Sequence, residues 1–340
     1  MAADRGVGVA TVGRSESARQ SYVPLWCKSN YSFLEGASTP EELVATAGRL
    51  DLPALGLTDR DGLYGVVRAH LEAKKLGVRL IIGSQITVKR AGSGTILLLA
   101  QNRTGYANLC RIISAGRLRS PKGSCLVNWE EICGRAAGLI ALWDGKGKAA
   151  ADLFDAFSDR LYILVSRHRR AEEASAEARL LRNASRFRLP LVAATEVLYH
   201  DVARKNLQDV LTCIRSNNTL DQAGRRLRPN GQHALKSAAD FRALYNDLLE
   251  VDPGILRRSL EIAGRCSFSL DEIQYRYPSE NLPDGQTSGQ WLRQLTFQGA
   301  EQRYGENIPS KVRRQLEKEL TLIEELDYCG YFLTMHQIVQ

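Results

Sequence analysis

The chain is poor in the residues that build metal centres: among its 340 residues are five histidines, at positions 70, 168, 200, 233 and 336. Its seven cysteines are scattered, odd in number and contain no C-x-x-C pair. That pattern argues against a disulfide framework or a zinc knot and for reduced, mostly buried thiols. No apolar run approaches the ~20 residues of a membrane span, so a soluble chain is expected. Residues Met1 to Gln20 lack the apolar core of a secretory signal and read as a disordered leader, which fits a cytoplasmic protein. Acidic residues are also in deficit, 38 Asp and Glu against 46 Lys and Arg, and the net charge of +8 favours a polyanionic partner such as nucleic acid.

What is present is a long alternation of short β-rich runs and amphipathic helices. The runs fall at Val23–Cys27, Ala54–Thr58, Leu80–Ile86, Thr95–Ala100, Gly138–Leu142, Leu161–Val165 and Leu189–Ala194. Thr39-Pro40-Glu41-Glu42 spells a capping box with proline at the first helical position. Roughly seven strand–helix units in about two hundred residues are more than a small doubly wound sheet carries, and predict a parallel, closed or nearly closed β/α barrel. After about His200 the pattern turns to helices and loops, among them an amphipathic helix over 206–215 and a Pro/Asp/Gly-rich linker at Tyr275–Gln286.

In such a barrel the chemistry sits where strands end and loops begin. The residues placed there are Trp26 and Lys28, Asp59 and Arg60, Gln85, Asp144 and Gly145, His168, Glu196 and Leu198. This is the layout of a multi-metal phosphoesterase pocket, which needs imidazoles and carboxylates gathered from several strand ends. Here Lys28 and Arg60 bring permanent positive charge to the same mouth, where they repel a metal cation. The acidic groups that remain are Glu35, Asp59 and Glu196. The expectation is that the two cations pair with these carboxylates and that no metal is bound.

Long motifs carry a resemblance to a known family. They are Ser29-Asn30-Tyr31-Ser32-Phe33-Leu34-Glu35-Gly36-Ala37-Ser38, Pro53-Ala54-Leu55-Gly56-Leu57-Thr58-Asp59, Leu207-Gln208-Asp209-Val210-Leu211-Thr212-Cys213-Ile214-Arg215 and Gly330-Tyr331-Phe332-Leu333-Thr334-Met335-His336. From about Ser21 onward the chain resembles the polymerase-and-histidinol-phosphatase (PHP) domain that opens bacterial C-family DNA polymerases, in its error-prone, DnaE-like ImuC branch. The resemblance implies an α/β fold, a PHP-type distorted (β/α)7 barrel followed by a mainly helical segment leading towards the polymerase palm. It divides the chain into a leader (1–20), the barrel (21–200), a helical and loop extension (201–280) and the helical start of the polymerase core (281–340). It also implies that metal-bearing relatives have histidines at the places of Trp26, Lys28 and Arg60, a glutamate at Gln85 and a cysteine at Gly145. An aspartate and a histidine stand there at Glu196 and Leu198, while Asp59 and His168 still match.

The function implied is error-prone, DNA-directed DNA synthesis in damage-induced mutagenesis and translesion synthesis. The Mg2+-binding palm residues are expected beyond this chain, which is expected to be inactive alone, with no catalytic residue of its own. DNA, a sliding clamp and ImuA- and ImuB-type accessory proteins are the partners the resemblance implies. Arg204, Lys205, Arg225, Arg226 and Arg228 are candidates for sequence-independent phosphate contacts. The alternative reading is a stand-alone PHP-type metal-dependent phosphoesterase. A pure interaction module is also open, with Leu316, Leu320 and Ile323 forming an apolar stripe on a helix over 310–326.

Overall fold

Most β-runs are apolar at nearly every position, Leu80–Ile86 with its Gly83, Ser84 and Gln85 being the exception, and the structure shows why: both faces of the sheet are covered. The computed structural model describes residues 21–88, 95–146, 150–273, 282–283 and 285–339. The leader, and most of the linker expected at 275–286, lie outside the described residues. The strands are β1 (Ala54–Leu57), β2 (Arg79–Ile86), β3 (Ile96–Ala100), β4 (Leu139–Trp143), β5 (Leu161–Val165) and β6 (Leu191–Ala193), hydrogen-bonded in that order. Side chains alternate between two cores. Leu97, Leu99, Tyr162 and Leu164 point into the ring, and Ile96, Leu98, Leu161 and Ile163 point outward under the helices.

Two features of the strands differ from the sequence-based expectation. The sheet is mixed: β3 runs antiparallel to both β2 and β4, while β1–β2, β4–β5 and β5–β6 are parallel. Ile86 and Ile96 bound a connection shorter than the dozen or so residues that a parallel crossover needs, so the chain turns back. The run Val23–Cys27 is not a regular strand, and Pro24, which has no amide hydrogen to donate, lies within it. It nevertheless occupies a strand's place. Cys27 bridges Leu57 on one side and Val197 on the other, which closes the ring through backbone bonds.

The helices that flank the sheet are α1 (Pro40–Arg49), α2 (Val66–Leu76), α3 (Arg103–Arg119), α4 (Trp129–Cys133), α5 (Ala150–Phe157) and α6 (Glu173–Phe187). Their apolar faces, such as Leu43, Val44 and Ala47 of α1, join the outer core. Beyond the barrel follow α7 (Lys205–Arg215), α8 (Leu220–Ala223), α9 (Ala238–Tyr245) and α10 (Arg258–Arg265). Ile262, Ala263 and Cys266 enter the inner core, and Arg79 at the start of β2 donates to the Ala263 and Cys266 carbonyls. The amino ends of the parallel strands, with the carboxyl end of the antiparallel β3, are thus plugged by α10, and the opposite ends are left for the pocket. Tyr22 stacks on Phe241 of α9 at 3.8 Å, another tie between the barrel and its helical extension.

α7 is amphipathic as expected: it buries Gln208, Asp209, Thr212 and Cys213 and exposes Leu207, Val210 and Ile214.

The chain divides into two compact units, Met1–Glu272 and Ile273–Gln340. In the second, α11 (Ser288–Tyr304), α12 (Ser310–Glu325) and α13 (Cys329–Val339) share a small core of Leu292, Leu320, Cys329 and Leu333. Leu320 is buried there and Ile323 packs against it, so this part of the stripe is covered by neighbouring helices rather than left exposed.

α1 opens with the capping box read from the sequence: Glu42 N donates to Thr39 Oγ1 at 3.3 Å and Thr39 N donates to Glu42 Oε2 at 2.9 Å. Thr39→Ala removes one of these bonds and is expected to lower the stability of the chain by about 1 kcal/mol in denaturant unfolding. An unchanged midpoint would show that the cap contributes nothing.

Candidate functional site: an ion-paired pocket at the strand ends

The pocket is anchored by Asp59, which follows β1 and is buried. It accepts three hydrogen bonds from the loop after Cys27: Ser29 N at 2.7 Å, Ser29 Oγ at 2.8 Å and Ser32 Oγ at 2.6 Å. Burial pushes the Asp59 carboxyl up, against the pull of these donors and of Lys28. The loop is further shaped by Leu34 at φ +60° and by Gly36, where an added Cβ would lie 2.0 Å from the Ser29 carbonyl oxygen. Only glycine permits that approach. The outcome is a tight turn that aims Glu35 back over the strand ends.

Lys28 is 2% exposed and lies between two carboxylates, its Nζ 3.0 Å from Glu35 Oε2 and 2.7 Å from Glu196 Oε1. Arg60 Nη1 and Arg215 Nη1 both reach Glu35 Oε1 at 2.7 Å. Arg228 Nη2 reaches Glu196 Oε2 at 3.1 Å. Burial opposes the charge on Glu196, but Lys28 and Arg228 outweigh it and hold the carboxyl far below the usual range. Trp26 donates through Nε1 to Gln85 Oε1 at 3.0 Å, and its ring lies 5.8 Å from Lys28 Nζ.

Two histidines complete the pocket. The Glu196 amide donates to His168 Nε2 at 2.9 Å, which leaves the His168 Nδ1 proton facing Glu173 Oε1 at 3.3 Å. His233 Nδ1 donates to the Glu196 carbonyl at 2.9 Å, and its ring stacks on His168 with centroids 4.0 Å apart. His233 Nε2 is buried with no hydrogen-bond partner among the described residues. Burial, then His168, push the His233 pKa down to about 3, so the ring is neutral at physiological pH.

The site residues read from the sequence are therefore largely brought together. Trp26, Lys28, Glu35, Asp59, Arg60, Gln85, His168 and Glu196 form one connected set. Asp144, Trp26, His168 and Glu196 line a cavity of about 280 Å³. Gly145 stands apart at φ +70°, its carbonyl held by Asn183 Nδ2, and an added Cβ would strike Leu180. Leu198 does not line that cavity: it is buried against Ala37, Tyr199 and Ala234. Sequence reasoning missed the parts played by Ser29, Ser32, Glu173, Arg215 and His233. The serines stand inside a quoted motif, but nothing in their spacing says that they serve Asp59. His233 comes from a loop beyond the barrel and carries no local signal.

The phosphate-contact candidates separate. Arg204 pairs with Glu42, Lys205 with Asp209 at 2.6 Å, and Arg228 with Glu196. Arg225 and Arg226 are exposed in a short turn after α8. Among the described residues, no cluster of three or more His, Cys, Asp or Glu side chains is spaced to hold a metal ion.

The fold agrees with the family comparison. Residues 25–189 match the family described as PHP domain, and residues 290–340 match the bacterial DNA polymerase III alpha NTPase domain. The error-prone DNA polymerase of Pseudomonas aeruginosa is 40% identical over 322 residues, covering 94% of this chain and 30% of that protein. That of Methylococcus capsulatus is 42% identical over 332 residues, covering 95% and 31%. A solved amidohydrolase from Chromobacterium violaceum aligns at 17% identity and TM-score 0.39, over 53% of this chain and 88% of its own; at that score the likeness bears on neither fold nor function. The architecture is that of a PHP-bearing protein. The chain carries a PHP domain and is similar over 94–95% of its length to these error-prone DNA polymerases, spanning about 30% of the length of the relatives it matches.

Two outcomes follow from the ion pairs. Lys28→Met leaves Glu35 and Glu196 short of a buried cation and is expected to destabilise the chain by about 3–5 kcal/mol, with partial recovery in Lys28→Met/Glu196→Gln. A near-neutral single variant would show that water, not Lys28, balances the carboxylates. His233 binds its proton at about pH 3 when folded against 6.5 as the ordinary value. Between those values the unfolded chain holds more protons, so stability falls as pH falls, by up to about 1.4 kcal/mol per pH unit. His233→Asn is expected to flatten the curve between about pH 6.5 and 5; an unaltered slope there would assign the acid sensitivity to other groups.

Proposed function

We propose that this chain is the structural PHP platform of an error-prone DNA polymerase, with a pocket in which ion pairs stand where metal ions stand in other PHP sites. The observation that carries this reading is the Lys28 ammonium, seated within 3.0 Å of both Glu35 and Glu196. A metal centre ties strand-end loops together by sharing ligands, and this network does the same with hydrogen-bonded charges. Lys28 comes from the ring-closing segment, Arg60 follows β1, Glu196 follows β6, Arg215 ends α7, and Arg228 and His233 lie in the loop beyond α8. The network thereby clamps the helical extension onto the barrel mouth. Hydrolysis is not among its capacities on this reading, because the groups that would hold a metal are engaged by cations.

DNA-directed DNA synthesis belongs to the complete polymerase, whose palm supplies the acidic residues for Mg2+. Error-prone synthesis is supported by the names of the relatives. Action in damage-induced mutagenesis and translesion synthesis, a cytoplasmic location, and the sliding clamp and ImuA- and ImuB-type partners follow from the same family reading. Among the described residues, no helix is long and apolar enough to cross a membrane.

The test is elemental analysis of the purified chain for zinc, manganese and iron before and after incubation with each, together with a phosphodiesterase assay. Substoichiometric metal and no hydrolysis are expected. Two or more tightly held ions per chain, with hydrolysis, would overturn the reading and reinstate a metal-dependent phosphoesterase.

A further inference from the structure

Beside the ion-paired pocket runs an open groove of about 610 Å³, lined by Phe33, Leu34, Arg60, Tyr64, Arg117 and Arg215 among others. Its charge is unbalanced: Arg60, Arg117 and Arg215 line it against one carboxylate, Asp61, whose oxygens are bonded to Thr87. Lys28, Arg60 and Arg215 all converge on the single carboxylate of Glu35, and Arg60 and Arg215 share one oxygen of it. Across the whole network four cations, Lys28, Arg60, Arg215 and Arg228, face two carboxylates, Glu35 and Glu196. Arg60 and Arg215 keep 37% and 38% of their side-chain surface exposed. Each guanidinium has five N–H donors in a planar fork, and one ion-paired nitrogen does not exhaust them. Arg117 adds a third positive charge, held in place by bonds to the Asp61 and Ser124 carbonyls.

The groove also presents aromatic surface that the fold does not use. Phe33 is 63% exposed and Tyr64 53% exposed, and their rings lie 6.3 Å apart, with Tyr31 edge-on to Phe33 at 6.4 Å. Phe33 stands out from a loop that is firmly built. Ser32 Oγ is bonded to Asp59, Gly36 N to the Ser32 carbonyl, and Leu34 adopts a left-handed conformation unusual for a branched side chain. Strain of this kind persists only where surrounding bonds over-determine it, and here it fixes an apolar ring in water beside two guanidinium groups.

We propose that this groove binds single-stranded nucleic acid, with bases stacked on Phe33 and Tyr64 and backbone phosphates held by Arg60 and Arg215. Excess positive charge calls for an anion, and exposed rings call for planar faces. A single strand offers both at short intervals, whereas a duplex hides its bases within the stack. None of the sequence-based candidates for phosphate contact, Arg204, Lys205, Arg225, Arg226 and Arg228, lines this groove. The proposal rests on the ion-paired reading of the neighbouring pocket for Arg60 and Arg215, whereas Phe33 and Tyr64 lie outside that network and test the groove separately.

The experiment is fluorescence anisotropy of a labelled oligothymidylate with the full chain at about 50 mM salt, where phosphate contacts are strong. Binding is expected to prefer the single strand over a duplex of the same length, and to weaken with salt with a log–log slope of about −1 to −2 for two phosphates. Phe33→Ala and Tyr64→Ala, both at positions more than half exposed, are expected to weaken it about tenfold each. Arg60→Gln is expected to lower both affinity and salt slope. Competition by free thymidine triphosphate as strong as by the oligomer would assign the groove to free nucleotides instead and overturn the strand. Binding unaffected by both aromatic variants, no binding at all, or self-association that is lost in Phe33→Ala without any oligonucleotide affinity would each overturn the proposal, the last in favour of a protein interface.

Discussion

A single buried ammonium group organises the functional end of this chain. Lys28 leaves the ring-closing segment directly after Cys27, whose backbone joins β1 to the strand end beyond β6. Its charge has little access to water, so the carboxylates of Glu35 and Glu196 must be present and ionised for the arrangement to hold. Those two carboxylates in turn recruit Arg60, Arg215 and Arg228. The turn that carries Glu35, the seating of α7 and the placement of the Arg228 loop therefore depend on one side chain.

Replacing metal ions by cationic side chains changes what a pocket can do while leaving its architecture in place. A divalent ion holds carboxylates and imidazoles and still keeps an open position for water or substrate. An ammonium group fills its own position and offers only hydrogen-bond donors. The imidazoles here respond accordingly. His168 accepts from a backbone amide, and His233 is pressed against it as a neutral ring in a site already crowded with positive charge.

Much of the architecture was legible in the sequence because burial on both sheet faces writes itself as continuous apolar runs. Runs at 54–58, 80–86, 95–100, 138–142 and 161–165 lie on β1 to β5, and the capping box at Thr39 opens α1. Strand direction was not legible, because an apolar run reads the same for a parallel or an antiparallel neighbour; β3 reverses owing to the short connection before it. The sense of α7 was equally hidden. Its periodicity shows two faces, but only the packing shows that Gln208, Asp209 and Thr212 turn inward.

The sequence by itself determined the composition of the site: lysine, arginine and glutamine stand among the strand-end residues. This is a matter of residue type, and type does not require coordinates. Only the tertiary structure decided the pairing. Lys28 and Glu196 lie 168 residues apart, Glu35 and Arg215 180 apart. No periodicity links positions so distant; closing the ring through Cys27 and folding α7 back onto the barrel brings them within hydrogen-bond distance.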